Sequence, residues 1–212
     1  MEITWYGHSC FRLRSRLVTV VTDPYGKDTG YVLPRVRADV VTVSHDAPNH
    51  NHYRGIAGKP YVVHGPGEYE IKSTFIIGTR TFRDTKKGAV RGFNTIYLIQ
   101  MDDLRVCHLG DLAHIPSQAQ IETLSDVDIL LIPVGGKPTL NASQATEIIS
   151  LIEPKIIIPM HYKTPLTTIK LDPVGRFIQA MAIKMPEPLE TLKVRASKTP
   201  SETQVVILQP KQ

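Results

Sequence analysis

Residues 38–52 read ADVVTVSHDAPNHNH. The first seven, Ala38 to Ser44, are apolar and β-branched, which predicts a buried strand. The strand runs straight into a polar loop that holds His45, His50 and His52. The same shape recurs twice. A β-rich run ending at Cys107 is followed by His108-Leu109-Gly110-Asp111, and an apolar run ending at Met160 is followed by His161. Loops at one edge of a sheet are where sites are built. Neutral imidazole and carboxylate are the usual ligands of zinc, bonded at about 2.0–2.2 Å. A lone histidine at a strand end is more often structural. Three such ends together leave a metal site and a structural role as open alternatives. The other histidines are His8, His64 and His114.

Outward from that loop, the first half of the chain reads as strands. Glu2 to Tyr6, Cys10 to Arg14 and Leu17 to Thr22 are short β-prone runs. Tyr61 to Val63, Thr74 to Ile77, Asn94 to Met101 and Leu104 to Cys107 continue them, with Asp102-Asp103 as a tight hairpin turn between the last two. Gly65-Pro66-Gly67 reads as a turn. The second half alternates. Ser117 to Leu124 is a short helix, Asp128 to Val134 a buried strand, and Asn141 to Ile152 the clearest helix. Asn141 can cap it with Gln144 completing a capping box, and Ala145, Ile148, Ile149 and Ile152 share one face. Pro154 stops it. Ile156 to Met160 is a further buried strand, Pro173 to Ala182 a last helix and Gln204 to Leu208 a last strand. Strands first and then alternation predicts two sheets with helices outside. No repeat or linker divides residues 1–212, so one domain is expected.

Bulk composition excludes little more. Of 212 residues, 42% are hydrophobic and 21% charged, the balance of a soluble globular chain that buries a core without staples. The net charge of +5 comes from 25 basic and 20 acidic residues. A nucleic-acid footprint needs basic residues gathered on one face, and the sequence offers only short clusters such as Arg12-Arg14-Arg16 and Lys86-Lys87. No stretch approaches the roughly eighteen apolar residues of a membrane span. Cys10 and Cys107 match no zinc or disulfide spacing and are expected as free buried thiols. With no signal-peptide pattern at the start, a cytoplasmic location is expected.

Six short motifs in order resemble a known family. They are Trp5-Tyr6-Gly7-His8-Ser9-Cys10, Thr22-Asp23-Pro24-Tyr25, Ser44-His45-Asp46, Gly65-Pro66-Gly67-Glu68-Tyr69-Glu70, His108-Leu109-Gly110-Asp111-Leu112 and Pro159-Met160-His161-Tyr162. The set is similar to the metallo-β-lactamase superfamily, in particular to its L-ascorbate-6-phosphate lactonase-like branch of zinc-dependent hydrolases. The resemblance implies an α/β fold, a four-layer αβ/βα sandwich of two mixed β-sheets flanked by helices. It also implies one or two metal ions held by an H-x-H-x-D-H loop, a later His, a bridging Asp and a C-terminal His. Carried over, His45 and His50 match the first and last histidines of the loop, Asp111 the bridging Asp and His161 the C-terminal His. Asp23 is expected to orient a loop histidine. His8 is expected at the substrate edge, His108 in a structural or supporting role, and Glu68 as a turn cap. His114 could line the pocket.

Three positions depart from the pattern. Ala47 stands for the second loop His, Asn49 for the loop Asp, and Arg83-Asp84 for a His-Asp pair. One implied metal position keeps only His45 and Asp111, with a cation from Arg83 beside them, and two ligands are too few for zinc. The other keeps His50, Asp111 and His161, and three ligands plus water is what a catalytic zinc requires. The expectation is therefore zinc, or manganese, at one ion at most or none. His52 and His64 are the candidates to refill a vacancy. Asp111, Asn49 and His8 are the expected catalytic residues. The implied activity is hydrolysis of an ester, lactone or phosphodiester of a small molecule through a metal-bound water. The alternative is a non-catalytic binding or regulatory protein that keeps the fold and has lost the two-metal site. Neither a membrane nor a nucleic acid is an expected partner, and a homo-oligomer is left open.

Overall fold

Two kinds of strand build the molecule: alternating ones that cover a surface, and uniformly apolar ones that are buried on both faces. The computed structural model describes residues 1–212. The strands in chain order are β1 (Glu2–Gly7), β2 (Cys10–Arg14), β3 (Thr19–Thr22), β4 (Val40–Val43), β5 (Tyr61–His64), β6 (Gly67–Ile71), β7 (Thr74–Phe82), β8 (Phe93–Met101), β9 (Leu104–His108), β10 (Ile129–Pro133), β11 (Ile156–Met160), β12 (Leu192–Lys193) and β13 (Gln204–Val205). The α-helices are α1 (Gln118–Glu122), α2 (Ala142–Ile152) and α3 (Val174–Ala180).

One sheet has the order β12-β1-β2-β3-β4-β5, and the other β13-β11-β10-β9-β8-β7-β6. Both are mixed. β3, β4 and β5 run parallel, as do β9, β10, β11 and β13, while the remaining neighbours are antiparallel. Ile3, Trp5, Phe11, Leu13, Val20 and Val40 of the first sheet bury against the second in one continuous core. Each such side chain contributes about 1.5–3 kcal/mol on leaving water. The residues that alternate with them, Tyr6, Cys10, Val21, Val41 and Val43, form a smaller core on the outer face.

The two mixed sheets are those the sequence implies. The flanking layers differ from each other. α2 and α3 pack together, and the buried face of α2 (Ala145, Ile148, Ile149, Ile152) joins the core of the second sheet. The outer face of the first sheet is covered by Tyr25, Tyr31, Val36 and Ile56 from loops that contain only short 3-10 turns at Lys27–Thr29 and Tyr53–Gly55. The expected helical layer is irregular chain on that side.

Several expected elements shift. Gly67 belongs to β6, which pairs with β7 as an edge strand, so the predicted turn is confined to the residues before it. β7 runs on to Phe82, well past Ile77, and β3 begins at Thr19 because Ser15 Oγ accepts from the backbone N–H of Leu17 and Val18 and closes a turn there. Cys10 and Cys107 are free and buried, as expected, and burial raises both thiol pKa values. No helix is long and apolar enough to cross a membrane.

Candidate metal centre

The parallel strands β3, β4, β9 and β11 point their C-terminal ends to one edge of the sandwich. Asp23 follows β3, His45 follows β4, Asp111 follows β9 and His161 follows β11. β1 is parallel to β3 through β2, so His8 leaves at the same edge. His8, Asp23 and His161 have positive φ, at 51°, 38° and 53°. Non-glycine residues adopt that region at a cost, and it is concentrated at functional sites. Gly110 (φ 58°) brings the Asp111 loop against the facing loop, and a Cβ there would lie 2.5 Å from Asn94 Oδ1 and 2.6 Å from Ser44 Cβ. Asn94 Oδ1 then accepts from the Asp111 N–H at 2.9 Å.

The expected residues converge. His50 Nε2 lies 3.3 Å and His161 Nε2 3.5 Å from Asp111 Oδ1, and His45 Nε2 lies 3.7 Å from Asp111 Oδ2. All of these side chains are buried. His8, given an edge role in the sequence, stands inside the cluster. Its Nε2 is 3.0 Å from His50 Nε2, and its ring centroid is 4.4 Å from that of His161. Donor atoms of His8, His50 and His161 lie within 4.8 Å of one another, as do those of His45, His50 and Asp111. Asn49 bonds His8, its Nδ2 donating to His8 Nε2 at 3.1 Å. The signal for His8 was present in the Gly7-His8 break after the first strand. Its depth was not readable.

The supporting bonds fix the tautomers. Asp23 accepts from the Ser44 N–H at 2.7 Å, from Ser44 Oγ at 2.6 Å and from His50 Nδ1 at 2.8 Å. With its proton given to Asp23, Ser44 Oγ accepts from His45 Nδ1 at 3.0 Å. His45 Nε2 is left with a lone pair that faces a carboxylate. His45 Nε2 and Asp111 Oδ1 are both buried without a hydrogen-bond partner. Unpartnered acceptors gathered in a dry place are costly unless a cation joins them. Imidazole and carboxylate are also the donors a zinc-like ion takes, and the carboxylate behind His50 is the support such histidines need. The residues fit a metal ion on both counts.

Electrostatics agree. Burial pushes His50 down, but Asp111 and Asp23 on either side carry its pKa up to about 9. Burial and the neighbouring histidines push His8 well down, and burial lowers His161. Burial and His50 bring His45 to about 3. Burial would raise Asp111, and the surrounding histidines hold it well below the carboxylate range.

Arg83 occupies the side of Asp111 away from His161, its Nη2 3.4 Å from Asp111 Oδ2. The other candidates lie elsewhere. His52 is exposed beside Gly55, and His64 is exposed at the end of β5. Glu68 is exposed on the edge strand β6 and caps no turn. His114 braces the β7 end, accepting from the Phe82 N–H at 3.2 Å and donating to Ile115 O at 2.8 Å, so it does not line the centre. His108 donates to Ser9 O at 2.9 Å, the structural role expected of it.

A family model described as the β-lactamase superfamily domain matches residues 2–161. A UPF0173 protein of Pyrococcus abyssi is 31% identical over 188 residues, covering 77% of this chain and 84% of the relative. A UPF0173 metal-dependent hydrolase of Lysinibacillus sphaericus is 25% identical over 195 residues, covering 77% and 86%. A crystal structure from Thermotoga maritima, described as a Zn-dependent hydrolase of the metallo-β-lactamase superfamily, superposes with a TM-score of 0.82 at 36% identity, covering 98% of this chain and 97% of that one.

Proposed function

We propose a reaction and a set of residue roles for a chain that belongs to the β-lactamase superfamily and, within it, to the UPF0173 metal-dependent hydrolases. The reading is hydrolysis of an ester, lactone or phosphodiester bond in a small molecule at a centre that holds one ion, zinc or manganese. The observation that carries it is the meeting of two buried donor triads, His8-His50-His161 and His45-His50-Asp111, with His45 Nε2 and Asp111 Oδ1 left without a protein partner.

His50, Asp111 and His161 would hold the ion, with His8, whose Nε2 accepts from Asn49, beside it at the substrate edge. When bound, such an ion supplies a Lewis acid for the scissile carbonyl or phosphoryl oxygen and acidifies water at neutral pH. Asp23 fixes His50 with its Nε2 toward the cluster. Asn49 holds His8 in place, and its neutral amide is too weak a base to take a proton from water, which leaves Asp111 as the carboxylate at the centre. Arg83 stands where a second ion would need a donor, and a guanidinium stays protonated. Ala47 offers no lone pair.

Elemental analysis after loading with zinc or manganese tests the reading. The wild type should hold one ion and His161→Ala none. The triple change Ala47→His, Asn49→Asp, Arg83→His should raise the stoichiometry toward two. A wild type that takes up neither metal sinks the hydrolase reading in favour of a non-catalytic member. A wild type with two tight ions shows that the vacancies are misassigned.

A further inference from the structure

Arg83 also walls a cleft of about 420 Å³ beside the centre, together with Thr85, Arg91, Lys137, Thr139 and Asn141. Ala113, two residues past Asp111, lines the same cleft, so it adjoins the metal centre. Three cations face this space. Asp84, the acid in its wall, is already engaged. Its two oxygens accept from the backbone N–H of Lys86, Gly88, Val90 and Arg91 at 2.7–3.0 Å. Asp111 is turned to the histidines and touches Arg83 alone among the three cations.

Neither Arg91 nor Lys137 has a carboxylate partner. Arg91 is held by carbonyls instead, its Nη1 donating to Pro138 O at 2.7 Å and to Arg83 O at 3.5 Å. Arg83 makes two long contacts, to Arg91 O at 3.3 Å and Asp111 Oδ2 at 3.4 Å, and its Nε is buried with no partner. Two guanidinium groups are therefore fixed near each other by backbone, partly desolvated and short of negative charge. Burial and the Arg83 charge lower the pKa of Arg91. A planar fork of this kind matches a carboxylate or phosphate group.

We propose that the cleft of Arg83, Arg91 and Lys137 is an anion subsite that receives the carboxylate or phosphate group of an acidic substrate whose scissile bond lies at the adjoining centre. The placement of the scissile bond rests on the hydrolase reading, whereas the anion subsite stands by itself.

Isothermal titration of inorganic phosphate, and separately of acetate, into the metal-free protein tests the subsite. The wild type should bind at least one of them saturably. A double change Arg91→Ala, Lys137→Ala should weaken that binding by at least about tenfold, the scale of losing one charge-assisted hydrogen bond. Lys137→Ala alone alters an exposed side chain and serves as the variant that folds without question; it should weaken binding in the same direction. Lys198→Ala, in a separate cleft at the opposite end of the strands, should leave it within about twofold of wild type. Tighter phosphate than acetate identifies a phosphate-bearing substrate, and the reverse order a carboxylate. No saturable binding of either anion, or equal affinity in the double and Lys198→Ala variants, overturns the proposal. Metal content of the same preparations after loading with zinc or manganese separates the two readings. Metal uptake without anion binding removes the subsite alone, and anion binding without metal uptake removes the hydrolase reading and leaves the subsite.

Discussion

At the scale of single residues, the centre is a problem in acceptor placement. His8 Nε2, His50 Nε2, His45 Nε2 and both Asp111 oxygens turn toward one another, and every one can accept. Without a metal, a proton on His50 relieves part of this, because Asp111 and Asp23 flank the ring and carry its pKa from the ordinary 6.5 to about 9. The raised value means that the folded metal-free protein keeps a proton the unfolded chain gives up. That contribution to stability is complete below about pH 6.5 and is lost as pH rises through about 9. Metal binding must displace the same proton. At about pH 7.5, titration of zinc into the metal-free protein in two buffers of different ionisation enthalpy should report release of about one proton per ion. Identical heats in the two buffers would show that His50 is neutral before the metal arrives. Asp23 and Asp111 were legible as residues to watch because they follow strands. That one orients His50 and the other faces it could be read only from distances.

At the scale of elements, the most legible pieces are those whose cause is local. The capping box of α2 forms as its sequence implies, Asn141 Oδ1 accepting from the Gln144 N–H at 2.9 Å and Gln144 Oε1 from the Asn141 N–H at 3.1 Å. The Asp102-Asp103 turn has both residues at positive φ, as a tight hairpin requires. β6 was missed because it is an edge strand. Its Glu68 and Glu70 are exposed, only half-buried Tyr69 and Ile71 pack against the core, and β7 supplies its pairing. The loop after β10 shows how an element positions a ligand. A Cβ on Gly135 would fall far inside contact distance of His161 O. Gly135→Ala should therefore push the end of β11 away, costing about 1–3 kcal/mol in overpacking and weakening metal binding. Denaturant unfolding of the metal-free variant and its metal content after loading would check this. Unchanged stability together with full metal content would mean that the loop gives way elsewhere.

At the scale of the whole molecule, the site exists because two sheets packed face to face are tied together along one edge of the sandwich. Tyr97 of β8 sends its hydroxyl across to Val43 O of β4 at 2.8 Å and accepts from the Gly65 N–H at 2.9 Å. Next to it, the Thr95 N–H donates to Ser44 O at 2.8 Å. These ties set where the His45 loop meets the Asp111 loop. Tyr97→Phe should leave buried Val43 O and the Gly65 N–H short of partners and cost about 1–3 kcal/mol. Its unfolding midpoint, measured with wild type, tests the value. A change below about 0.5 kcal/mol would show that the neighbouring Thr95 bond carries the tie alone.

The sequence by itself determined the strands, the capped helix and the fact that His45, Asp111 and His161 leave strand ends, because hydrophobic period, caps and turn residues act over a few positions. It also marked Ala47, Asn49 and Arg83 as departures, since a motif is a local pattern. Only the tertiary structure decided that His8 lies within the donor cluster, that Arg83 turns its guanidinium onto Asp111, and that Arg91 and Lys137 join it around one cleft. Apart from Arg83 and Arg91, eight residues apart, those contacts span tens of residues. The His8 cluster forms only once the two sheets pack and bring their strand ends to a common edge, and the Arg83 cleft only once β7 to β10 align in one sheet, and no short-range pattern encodes either.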